Sequence, residues 1–145
     1  MKKKEKPVIG WREWMSLPSL HIKKIKVKVD TGARTSSLHA FDLKYTTRKG
    51  EDYVSFKVHP IQKDSKTTVE CKAKVLEYRK VKSSNGHTEQ RPVIIVEAKL
   101  HDQKWPIEVT LTNRDEMGFR MLLGRAAMKG HFIVDPGKSY YSKKL

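Results

Sequence analysis

The sequence predicts an all-β fold, a closed antiparallel barrel with one short helix near its C-terminal end. Three observations carry that prediction: short runs alternate apolar and polar residues, turn signals separate those runs, and stretches with helical period are scarce. In order along the chain, Ile25, Val27 and Val29 alternate with lysines, the pattern of a half-buried strand. Val54, Phe56 and Val58 repeat it, as do Val69, Cys71, Ala73 and Val75. Val93 to Val96 is a continuous apolar run and predicts a strand buried on both faces. Trp105 to Leu111 alternates again, with Pro106 marking a strand start or an edge. Asn85-Gly86 predicts a tight hairpin turn, and Lys49-Gly50 and Asp135-Pro136-Gly137 punctuate elsewhere. Arg125 to Lys129, stopped by Gly130, is the best helix candidate, and Trp11 to Leu17, ended by Pro18, is a second. Trp11, Trp14 and Trp105 read as core or interface, and Cys71 as a small core residue.

Length and charge narrow the classes. A chain of 145 residues suits a single domain spanning 1–145 with a usable core. The ends, about 1–6 and 142–145, are expected to fray. No apolar run reaches the ~18–20 residues of a membrane helix. The basic start, Met1 to Lys6, has no apolar stretch behind it and does not read as a secretory signal. With Cys71 as its single cysteine, the chain has no internal disulfide, and a reducing cytoplasm is the expected compartment. Lys plus Arg number 31 against 16 Asp plus Glu, a net charge of +15, so a polyanionic partner is expected. The six histidines are scattered, and no metal site or cofactor motif is recognised.

The residues that read as chemistry are Val27 to Ala33, where a strand runs directly into Asp30-Thr31-Gly32-Ala33. A strand holds the carboxylate of Asp30 rigidly. Thr31 can hydrogen-bond to a neighbouring loop, Gly32 lets backbone approach closely and offers its N–H, and Ala33 leaves room for a substrate. One carboxylate is a weak base, but two side by side share a proton, so that the charged one activates water and the protonated one binds a carbonyl.

Here the sequence resembles the retropepsin-like aspartic peptidases. A second element supports the resemblance, because Met121-Leu122-Leu123-Gly124-Arg125-Ala126-Ala127-Met128 is similar to the apolar-apolar-Gly-Arg strand and helix of those enzymes. Lys82 to His87 resembles the tip of a flap hairpin. A closer resemblance is to a bacterial family labelled ATP-dependent zinc proteases. It is carried by Ile9-Gly10-Trp11-Arg12-Glu13, Asp30 to Ala40, Arg91-Pro92-Val93-Ile94, Thr112-Asn113-Arg114, Leu122 to Arg125 and Val134-Asp135-Pro136. Members of that family are associated with ATP-grasp ligases that add glutamates to protein or peptide C-termini. The ATP of the label then belongs to the ligase, and the zinc has no recognisable ligand set in this sequence.

The resemblance implies a peptidase acting on an acidic, glutamate-extended peptide, with Asp30, Thr31 and Gly32 catalytic. Ala33, Arg34, Arg91 and Arg125 would bind substrate, and Gly124 would support the site. Viral retropepsins usually carry an acid after Asp-Thr-Gly-Ala, where this chain has Arg34. Arg125 thereby loses its usual partner, and an internal acid such as Asp115, Glu116 or Asp135, or a substrate carboxylate, is needed instead. One Asp-Thr-Gly per chain implies a homodimer. The rival reading is a binding module that captures polyglutamate tails or another polyanion without cutting. RNA is less favoured, because no aromatic stacking motif is recognised.

Overall fold

The structure, a computed structural model, describes residues 6–61, 67–82, 86–113 and 118–141. The strands are β1 (Val8–Ile9), β2 (Arg12–Leu17), β3 (Ile22–Asp30), β4 (Ser36–His39), β5 (Phe41–Arg48), β6 (Glu51–Val58), β7 (Val69–Lys74), β8 (Glu77–Lys82), β9 (Thr88–Leu100), β10 (Gln103–Thr112), β11 (Met121–Gly124) and β12 (Ile133–Val134). A 3₁₀ turn, Pro18–Leu20, joins β2 to β3, and one short helix, α1 (Arg125–Met128), follows β11. The fold is therefore nearly all β.

The principal sheet runs β10-β4-β11-β3-β2-β9-β8, and an additional β9–β10 pairing closes all of it except β8 into a ring. Two of its ladders, β4–β10 and β3–β11, are parallel, so the ring is mixed rather than wholly antiparallel. The parallel β3–β11 ladder has a direct consequence, because it sets Gly124 opposite Asp30. A separate three-stranded sheet, β5-β6-β7, lies beside the ring, and β1 pairs with β12. One apolar cluster unites the two larger sheets, with Met15, Ile25, Val27, Leu38, Val54, Phe56, Ile94 and Leu123 fully or almost fully buried.

The predicted strands from Ile25, Val54, Val69 and Trp105 all form, with their apolar residues facing the core. Lys49 and Gly50 both take positive φ, 51° and 79°, the geometry of a two-residue hairpin turn between β5 and β6. Gly86 has φ 87°, and Lys82 and His87 of the predicted flap tip are described, while residues 83–85 of that turn and tip lie outside the described residues. So do 1–5 and 142–145, on which most of the expected fraying falls. The helix at Arg125 forms and Gly130 follows it with φ 83°.

Two expectations are corrected. Trp11 to Leu17 is not helical, since Arg12–Leu17 is a strand in which Glu13, Met15 and Leu17 point inward at 0% exposure. A glutamate on the buried face concealed the alternation. Nor is the Val93 to Val96 run buried throughout, because Ile95 is 53% exposed on the outer face of β9. Trp105 is a core residue, its indole N–H donating to the Ala127 carbonyl at 3.0 Å. Burial pushes the Cys71 thiol up to about 11.

Candidate active site

Asp30 is the last residue of β3, and its side chain folds back over the turn that follows. Its Oδ1 accepts hydrogen bonds from the Gly32 N–H at 3.0 Å and the Ala33 N–H at 3.2 Å. Two donors on one oxygen fix the carboxylate plane relative to the strand and leave Oδ2 outside that pair of bonds. The carboxylate is half-buried, while Thr31, Gly32 and Arg34 are exposed.

The segment 33–36 is held from below by β11 and α1. The N–H groups of Arg125 and Ala126, orphan donors at the start of a helix, bond the carbonyls of Ala33 at 2.7 Å and Arg34 at 2.9 Å. The Gly124 N–H donates to the Ser36 hydroxyl at 2.9 Å. A Cβ on Gly124 would lie 2.6 Å from the Thr35 carbonyl carbon and 2.8 Å from the Ser36 nitrogen, so glycine is required by close backbone approach. Thr31 reaches its neighbour through its carbonyl, which accepts from Arg125 Nη1 at 3.0 Å.

The arginines differ. Arg34 is exposed and lies between two clefts, lining both. One, of about 670 Å³, also contains Thr35, Glu77, Arg79, Ile95 and Glu108. The other, of about 600 Å³, contains Thr31, Arg125, Met128 and Phe132. Among the described residues no carboxylate pairs with Arg34 or Arg125. Asp135 does not serve as their anion, because it accepts from the Gly137 N–H and the Tyr141 hydroxyl, contacts that hold its carboxyl below the usual range. Asp115 and Glu116 lie outside the described residues. Arg91, expected at the substrate, is only 4% exposed and pairs with Glu89 at 3.2 Å. It stands opposite Arg79 in the β8–β9 ladder, on the same face of β9 as Ile95, and is buried there.

Sequence reasoning missed Arg79. Its guanidinium, on β8, is braced by Glu77 and by Glu108 at 2.9 Å, and donates to the Thr35 hydroxyl at 3.2 Å. It therefore ties the hairpin strand β8 to the segment that follows Arg34. The carboxylates of Glu77 and Glu108 raise its already high pKa, so its charge is permanent. Nothing local in Glu77-Tyr78-Arg79 marks this, since the contact spans 44 residues. Glu13 was also missed. It is fully buried, and its Oε2 accepts from the N–H groups of Gly10 at 2.7 Å and Tyr141 at 2.8 Å. It thus binds the C-terminal segment to β2. Among the described residues no group of three or more His, Cys, Asp or Glu side chains is placed to hold a metal ion.

An Asp-Thr-Gly-Ala turn leaving one strand, locked by a Gly-Arg strand and helix in parallel register beside it, is matched by a known family. Residues 8–145 match the RimB-like family, described as retropepsin-like aspartic endopeptidase RimB. The chain belongs to this family. The RimB-like chain is also 49% identical, over 92% of its length, to a protein of Shewanella pealeana named probable alpha-L-glutamate ligase. A protein of the same name from Desulfotalea psychrophila is 50% identical over 90% of the chain. The chain spans only 29% and 28% of those two relatives. Among solved structures, a Legionella pneumophila protein of unknown function superposes with a TM-score of 0.78 at 29% identity. That match covers 95% of this chain and 99% of the other. In the described residues no helix is long and apolar enough to cross a membrane.

Proposed function

We propose that the chain is an aspartic-type amide hydrolase acting on an acidic, glutamate-extended peptide or protein C-terminus. The observation that carries this reading is the Asp30 carboxylate, fixed through one oxygen by two backbone N–H groups. Arg34 and Arg125, which share a cleft with Thr31, have no carboxylate partner among the described residues.

The chemistry needs a second carboxylate, and among the described residues no carboxylate hydrogen-bonds to Asp30. Two copies of the chain related by a two-fold supply the pair. The ionised Asp30 takes a proton from water, whose oxygen attacks the amide carbon. The protonated Asp30 donates a hydrogen bond to the carbonyl oxygen, and the leaving nitrogen is protonated as the C–N bond breaks. Thr31, Gly32 and Ala33 shape the loop, and Gly124 permits the close approach beneath it. Arg34 and Arg125 hold substrate carboxylates through their planar forks. The relatives named as glutamate ligases support a functional association with an ATP-grasp ligase, whose product this activity would shorten.

The test is incubation with a peptide bearing several C-terminal glutamates, read by mass spectrometry. Stepwise or single loss of glutamates is expected from the wild type and none from Asp30→Asn. Equal cleavage by Asp30→Asn would overturn the assignment. Sedimentation of the wild type is expected to give a dimer. A second reading, a non-catalytic module for acidic tails, is favoured by the same lack of a carboxylate next to Asp30. It predicts binding of the peptide without any change in its mass.

A further inference from the structure

The two clefts that meet at Arg34 differ in charge. Arg34, Arg125 and Lys129 line the smaller one, and among the described residues no acid does. The larger holds Arg34 and Arg79 together with Glu77 and Glu108, and its wall carries Ile95, which is 53% exposed. Alternate residues of a strand share a face, and Ile94 and Val96 are buried in the core. Ile95 is therefore turned outward into the cleft. Pro106 and Trp105, whose ring is stacked on His131 at 4.9 Å and 22°, line the same cleft and extend its apolar surface.

Both acids stand close to Ile95. Glu108 is its direct partner in the β9–β10 ladder, and Glu77 pairs with Val93, two residues before it. Arg79 does not offset them for an incoming anion, because its donors are already engaged. Its Nε and Nη2 donate to Glu77, Nη2 also donates to Glu108, and Nη1 donates to the Thr35 hydroxyl. A substrate carboxylate set against Ile95 would meet two like charges and lose water without gaining a donor, which is unfavourable. An aliphatic side chain in the same place takes its own apolar surface and that of Ile95 out of water. At the other end of the cleft Arg34 has no carboxylate partner among the described residues, so an acidic group is favoured there.

We infer that the cleft walled by Ile95 is the subsite for the residues that precede the glutamate tail, and that it selects aliphatic side chains and rejects acidic ones. This rests on the hydrolase reading and adds where along the tail the enzyme works. The acidic end of the peptide lies over Arg34 and Arg125, and the chain ahead of it crosses Arg34 toward Ile95. A run of glutamates filling both clefts would set a carboxylate beside Glu108. Productive binding therefore places at the site the junction between the added glutamates and the chain that carries them.

The experiment uses labelled peptides ending in four glutamates, in which the two residues ahead of the tail are both Leu, both Ser or both Asp. Hydrolysis by the full-length wild type gives kcat/KM, and fluorescence anisotropy gives the affinity of the same peptides for the wild type and for Asp30→Asn. The Leu peptide is expected to exceed the Ser peptide roughly tenfold, and the Asp peptide to rank last. Ile95→Ser is expected to bring the Leu and Ser peptides within about twofold of each other. Glu108→Gln is expected to raise the Asp peptide severalfold relative to the Ser peptide. Tyr45→Ser, which removes an exposed ring on the three-stranded sheet, is the control and leaves the ranking unchanged. Circular dichroism checks that each variant is folded. If the wild type cuts all three peptides equally, or Ile95→Ser keeps the full preference for Leu, the subsite is wrong and the hydrolase reading stands. If no peptide is cut but the affinities keep the expected ranking and lose it in Ile95→Ser, the hydrolase reading fails and the subsite stands. No cleavage together with no ranking in affinity overturns both.

Discussion

The three-stranded sheet and the face of β2–β3 are both rich in lysine, and they treat charge in opposite ways. On β5-β6-β7 cations meet acids, with Lys57 3.4 Å from Asp42 and Lys74 2.7 Å from Glu51. Toward Asp30, Arg12, Lys24 and Lys26 meet aromatic rings, and Arg125 meets a backbone carbonyl. On the first surface Lys57 and Lys74 are held by acids of the same sheet. The second combines packed cations with a fixed carboxylate. The net charge of +15 is therefore informative only in its distribution.

The largest expected difference is between a glycine beneath the candidate site, on β11, and one on the three-stranded sheet. Gly124→Ala places a methyl against the backbone of 34–36 and is expected to cost about 3 kcal/mol, with the site disrupted. Gly50→Ala in the β5–β6 turn meets no atom within 4 Å and pays only for its positive φ, about 1 kcal/mol. Urea midpoints measure both, and equal losses would break the comparison. Next in size, Glu13→Ala strands two backbone donors and is expected to cost roughly 2–4 kcal/mol. Faster amide hydrogen exchange around Gly10 and Tyr141 would locate that loss.

Arg79→Ala should leave the fold intact and raise KM for an acidic peptide severalfold, with a smaller change in kcat. The Thr35 hydroxyl loses its donor while Asp30 keeps both of its own. A pure stability loss with unchanged KM would make Arg79 an ordinary surface brace. Cys71 offers a pH test. Its folded thiol is held near 11 against an ordinary 9.0, so the unfolded chain gives up the proton first as pH rises. Stability is expected to be flat from this group below pH 9 and to fall between about 9 and 11. Thiol reagents at pH 8 should react with Cys71 only after denaturation. Smallest of all, Lys74→Ala on the three-stranded sheet removes an exposed pair and should leave the denaturation midpoint indistinguishable from wild type.

Much of the fold was legible because alternation is local. Ile25-Lys26-Val27-Lys28-Val29 announces a strand without reference to any other residue, and Lys49-Gly50 announces a turn through its own dihedrals. The strand at Arg12–Leu17 was not legible, because its inward acid, Glu13, is satisfied by Gly10 and by Tyr141, the latter 128 residues away. Ile95 read as core because its neighbours are core, although its own side chain faces a cleft. The candidate site divides the same way. Asp30-Thr31-Gly32-Ala33 and Gly124-Arg125 were recognisable as short motifs, whereas Arg79 and the burial of Arg91 were not.

By itself, then, the sequence determined which segments are strands, where the chain turns, and which short motifs carry chemistry, because each depends on residues a few positions apart. Tertiary structure decided which of those segments become neighbours. The parallel pairing of β11 with β3 sets Gly124 beside Asp30, and the closure of β9 onto β10 completes the ring. It also decided which cations find acids and which do not. That outcome depends on the surroundings assembled from distant parts of the chain, and no local pattern encodes it.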